Sequence, residues 1–172
     1  MNWQQLVIEN FERISQVLKS ALEDLTQEDL NQQPNPESNS MGWIVWHLTR
    51  VQDRAIADLA GEEQLWIKEK WHASFIRSAD PQDVGVGHSL EDLAVFVSPD
   101  AKTLLAYHLA VLKRTKGYLS NLSQPELDRK IDHPRFPTVG LRLTAIINDN
   151  FQHAGQVAYV RGLLKGKGWL DV

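Results

Sequence analysis

The sequence predicts an all-α fold: a four-helix bundle with long connections after the first, second and third helices, forming one domain over residues 1–172. Three observations predict it. Four long segments carry apolar side chains every three or four positions, the period of an amphipathic helix. Alternation with a period of two persists nowhere, so no sheet is expected. Stretches rich in Pro, Asn, Ser and Gly separate the periodic segments, which is the arrangement of a helical bundle.

The first helix is expected from about Trp3 to Leu25, with Phe11, Ile14, Leu18 and Leu22 in its stripe, and TQEDLNQQPNPESNS ends it. Ser40 is placed to cap the second, which runs to about Leu59 and Gly61 with Ile44, His47, Leu48, Val51 and Ala55 on one face. Residues 61–98 read as irregular. Ile67, Trp71 and Phe75 fall four apart, so one short helix is expected near Glu62. Ser98-Pro99-Asp100 reads as the start of the third helix: a capping Ser, a Pro at the first position, then an acid. It runs to about Leu122 with His108 among its inward residues. After SQPELDRKIDHPRFP, the fourth starts between Thr138 and Leu141 and ends near Gly166, with Ile146, Asp149, His153, Val157 and Val160 in line.

Composition excludes several classes of function. The chain has 172 residues, of which 42% are hydrophobic and 23% charged, the proportions of an ordinary globular domain. Its formal net charge of −4 argues against a nucleic-acid partner. There are no cysteines, which removes disulfides, thiolate metal sites and a Cys nucleophile. No run of 18 apolar residues exists, so no membrane partner is expected. MNWQQLVIENFERI lacks the basic and apolar regions of a signal peptide, and the expected location is cytoplasmic.

The chemistry-bearing constellation lies on the second and fourth helices. Asp149 and His153 are four apart and project side by side from a face that is otherwise apolar. His47 holds the matching stripe of the second helix. A carboxylate turned towards a core is costly without compensation, and a cation compensates it. Two nitrogens and one oxygen suit a divalent transition metal (Zn, Ni, Fe or Mn), and three protein ligands leave coordination open for water or a small-molecule substrate. Two other arrangements stay open: Asp149 and His153 pair only with each other, or face a solvated groove.

MGWIVWHLTRVQDR around His47 and HAGQVAYVRGLL from His153 resemble the DinB/YfiT-like superfamily, as do the helix order and the Tyr107, Val111, Thr115 series. The resemblance implies a bundle holding one divalent metal through a His of the second helix and an H-x-x-x-H pair of the fourth. Carried over, the ligands are His47, Asp149 and His153, with Asp149 standing where His is commoner. It also implies an enzyme of the kind that uses a low-molecular-weight thiol cosubstrate, such as mycothiol, bacillithiol or glutathione, in S-transfer or isomerisation. The alternative is a non-catalytic bundle that forms a homodimer and binds a small apolar ligand or a partner protein.

Other residues carry weaker expectations. His108 is a candidate fourth ligand or ligand support, and Gln156 a candidate partner of His153. Trp71, with Trp66, His72 and Phe75, could roof the pocket, with core packing the default. Trp43 and Trp46 read as core anchors, Arg50 and Asp53 as an exposed pair of little energetic weight, and His88 and His133 as solvated loop residues.

Overall fold

The computed structural model describes residues 1–166. Four long helices, α1 (Trp3–Leu22), α3 (Met41–Ala60), α7 (Ala101–Asn121) and α8 (Val139–Lys165), alternate with short ones: α2 (Gln27–Asn31), α4 (Leu65–Lys68), α5 (Trp71–Ser74), α6 (Leu90–Ala94) and a 3-10 turn at Gln124–Asp128. The long helices form a closed ring in which α1 packs on α7 and α8, and α3 packs on the same two. The all-α expectation holds, and among the described residues no strand forms beyond one isolated bridge between Lys130 and Thr138.

Side-chain caps set most helix starts. Asn2 and Gln5 form a capping box at α1, Ser40 accepts from the Trp43 N–H at α3, and Thr138 accepts from the Leu141 N–H at α8. The cap of α7 differs from the sequence expectation. It is Asp100, whose carboxylate accepts from the Thr103 N–H at 2.8 Å. Ser98 is committed elsewhere: it is buried, its amide donates to Asn31 Oδ1 at 2.7 Å, and it lies so close to Gly42 that a Cβ there would meet Ser98 Cβ at 2.3 Å. α1 also stops sooner than expected, at Leu22, because Asp24 turns the chain with a positive φ of 57°.

α3 is the most enclosed element, with every residue from Met41 to Arg50 buried. α7 and α8 cover two of its sides, and residues 61–98 cover much of the rest. The single short helix expected near Glu62 is instead two one-turn helices, α4 and α5.

Arg50 and Asp53 lace this connection down, which overturns the expectation of an exposed pair: both side chains are fully buried, 3.6 Å apart. The Asp53 carboxylate accepts from the Leu65 and Trp66 amides at 3.0 and 2.9 Å, from Tyr107 Oη at 2.8 Å and from Arg114 at 3.0 Å. Arg50 donates to Gln64 Oε1 at 2.8 Å and to the carbonyls of Asp80, Pro81 and Asp83. A helix stripe is read on the assumption that one face meets solvent; here a later stretch of chain occupies that face.

A buried relay sets the axial register of three long helices. Asn150 of α8 donates to Gln52 Oε1 of α3 at 2.5 Å, and Gln52 Nε2 donates to Thr115 Oγ1 of α7 at 2.8 Å. Buried amides are costly unless paired, so sliding α8 along α3 breaks bonds that water cannot replace. Asn150 neighbours Asp149, and the same register carries Asp149 and His153 to the level of His47.

Candidate metal centre

His47 leaves α3 on its buried side and is 7% exposed. Trp43, one turn earlier, stacks flat against its ring at 4.8 Å with an interplanar angle of 9°. Its Nδ1 makes a short hydrogen bond to the Val84 carbonyl. That carbonyl arrives because Gly85 follows it. Gly85 has φ +84°, and a Cβ there would stand 2.6 Å from the Trp43 ring, so only glycine lets the backbone lie against the indole.

Asp149 and His153 come from successive turns of α8, with Asp149 Oδ1 3.5 Å from His153 Nε2. His153 Nδ1 bonds Gln156 Oε1 at 2.7 Å. The two imidazoles meet edge to face with centroids 4.7 Å apart. One ligand atom from each of His47, Asp149 and His153 lies within 4.8 Å of the other two, so this cluster could hold a metal ion.

The hydrogen bonds assign the tautomers. Both Nδ1 atoms face oxygen acceptors, so in the neutral rings Nδ1 carries the proton and Nε2 is left to ligate. Asp149 Oδ2 is buried and has no hydrogen-bond partner among the described residues. With His153 neutral, three electron-pair donors converge here, an arrangement that suits a bound cation; with His153 protonated, its Nε2–H can donate to Asp149 instead. Burial lowers the pKa of His47, against the pull of the Val84 carbonyl, which favours the neutral ring that ligates. Burial acts in the same direction on His153, but Asp149 and Gln156 outweigh it and raise its pKa. Asp149 is less enclosed than its stripe suggests, with 31% of its side chain exposed, because it lies where the cluster opens to a cavity.

That cavity has a volume of about 760 Å³. His47 and Asp149 stand at one end, with Arg54 and Arg142 also in its wall, and the loop residues His133 and Phe136 close it from the side. The aromatic group keeps its default role in packing and does not roof the cavity. Trp66, Trp71 and Phe75 pack instead on Tyr107, at 5.6, 5.4 and 5.7 Å, and are core rather than lining. His108 does not join the cluster. It is 1% exposed, 3.3 Å from Thr49 Oγ1, and its Nε2 has no partner. Gln156 does reach His153.

Two loop histidines are less solvated than expected. His88 Nδ1 accepts from the Trp43 indole at 3.1 Å and its Nε2 faces Asp83 at 3.1 Å. His133 lines the cavity. Sequence reasoning also missed Val84, Gly85 and the arginines. Arg54 lies seven residues after His47, and Arg142 seven before Asp149, which is the usable signal: two helical turns keep the same face.

The model of the DinB superfamily matches residues 10–157. The chain belongs to the DinB superfamily. The matched range contains all three members of the cluster. As a DinB-superfamily protein it is also similar to a solved structure, the crystal structure of a conserved protein from Enterococcus faecalis. The two share 28% identity with a TM-score of 0.87, over 97% of this chain and 99% of that one. No curated protein matches.

Proposed function

We propose that this DinB-superfamily chain is a divalent-metal-dependent enzyme whose ion is held by His47, Asp149 and His153 and which activates an external thiol or water against a small-molecule electrophile. The observation that carries the reading is the convergence of one ligand atom each from His47, Asp149 and His153 within 4.8 Å, with Asp149 Oδ2 buried and without a partner among the described residues.

A bound divalent ion would supply Lewis acidity, lowering the pKa of a thiol or water that reaches it. The chain's own residues do the rest. Val84 and Trp43 fix the plane of His47, and Gln156 fixes that of His153. Asp149 brings one negative charge, so the site is a milder Lewis acid than three imidazoles make. Two nitrogens and one oxygen are compatible with zinc, nickel, iron or manganese. The chain has no cysteine, so a thiol nucleophile must come from outside, and the cavity beside the cluster is wide enough to admit one.

The test is elemental analysis of protein purified without a metal-affinity tag, followed by a thiol-transfer assay. Near-stoichiometric transition metal is expected in the parent protein and none in Asp149→Ala or His153→Ala. Thiol consumption should depend on that metal. Turnover that survives metal removal unchanged rules the mechanism out.

A further inference from the structure

The cavity beside the cluster carries more positive charge than the proposed chemistry uses. Arg142 is only 8% exposed and lines the cavity, yet among the described residues its guanidinium meets no hydrogen-bond acceptor and no carboxylate within 4.0 Å. Arg54 and Arg135 line the same space and likewise have no ion pair among the described residues. The donors of a largely buried arginine that open only onto a cavity are available to a ligand that completes them.

The local electrostatics agree. Arg54 faces Arg142 closely enough to depress its pKa, behind the larger effect of burial, while Asp58 and Asp149 offset it only from a distance. His133 is pushed down by burial first and then by the charges of Arg142, Arg54 and Arg135 together. Its Nδ1 accepts the amides of Arg135 and Phe136, both at 3.2 Å, so the proton sits on Nε2. The guanidiniums are also held in place. Arg142 and Arg135 lie over the Phe136 ring at 5.3 and 5.6 Å.

From these observations we infer that Arg142, Arg54 and Arg135 form an anion subsite that takes the carboxylate of a small organic acid, whose apolar body lies along Val51, Leu141 and Ile146. The inference deepens the metal reading, because both arginines of the helices sit two turns from a cluster residue. Seven residues at 1.5 Å rise put about 10 Å between the two levels of backbone. The site thus selects an acid whose reacting group is several bonds away from its charge.

The test uses 3-phenylpropionate and its uncharged isostere 3-phenylpropanamide, with inorganic phosphate as a third probe, read by calorimetry and thermal shift at low salt. The acid should bind at least about tenfold more tightly than the amide or phosphate, the value of a charge-assisted hydrogen bond. Arg142→Met should abolish that preference and, by removing an unpaired buried cation, raise the ligand-free melting temperature. Arg54→Met should weaken the acid as well. Metal content measured on the same samples separates the two readings. Arg142→Met should keep its metal, and Asp149→Ala should lose the metal but keep the acid. Equal binding of acid and amide, equal binding of acid and phosphate, or an unchanged preference in Arg142→Met overturns the subsite whatever the metal content.

Discussion

His108 shows at the scale of one residue how burial without a partner becomes a pH dependence. Burial pushes its pKa from 6.5 down to about 4, and among the described residues no acid stands near to hold a proton on it. The folded value is lower than the unfolded one, so the unfolded chain binds the proton more readily between those limits. Stability from this group is therefore complete above about pH 6.5 and falls as pH drops towards 4. The shift corresponds to about 3 kcal/mol. Denaturant titrations from pH 7 to 4 should show His108→Gln losing correspondingly less stability than the parent. Gln156 makes a second residue-scale prediction. It holds the His153 ring by one hydrogen bond, and Gln156→Leu should weaken metal binding by about 10- to 100-fold without abolishing it, measured by competition with a chromogenic chelator. Asp149 and His153 were readable as a pair because i, i+4 spacing on a helix leaves no choice of neighbour. Arg142 was not, because a lone arginine on a stripe looks like a surface residue until a second helix brings Arg54 opposite it.

At the scale of elements, the connection over residues 61–98 is part of the centre rather than a tether between helices. It is fastened to α3 by Arg50 and Asp53 and, further on, supplies the carbonyl that orients His47. Asp53→Ala leaves the Arg50 guanidinium buried without its carboxylate, and the expected cost is about 3–5 kcal/mol in chemical denaturation. Limited proteolysis of that variant should cut first within 61–98. Residues 61–98 could not be placed from sequence, because their packing depends on long-range partners and not on periodicity. The same cause hid the burial of Arg50 and Asp53. The four long helices were legible for the opposite reason: each starts at a local cap and keeps a helical period of mostly apolar residues, so local information suffices.

For the whole molecule, the proposed metal and the fold are linked. An ion that binds the native bundle and not the unfolded chain stabilises it by about 2.7 kcal/mol at a hundredfold excess over Kd. For a chain of this size that is a rise in Tm of roughly 5–10 °C. Scanning calorimetry should show the rise on adding zinc or nickel to metal-stripped parent protein, and Asp149→Ala and His153→Ala should show none. A parent protein indifferent to every divalent ion would leave the bundle standing and remove its chemistry. The fold class came through from sequence with little loss, since helix content is additive along the chain. The candidate centre came through in part, because its three candidate ligands follow helical spacing while its supports come from loops.

The use of a main-chain oxygen to orient His47 has a consequence for how the protein can change. A carbonyl cannot be deleted by exchanging a side chain, so position 84 is free to drift among apolar residues while the imidazole keeps its tautomer. The constraint moves one place along the chain. Any side chain at position 85 must push the backbone away from an indole ring, and the imidazole then loses its anchor although every proposed ligand is still present.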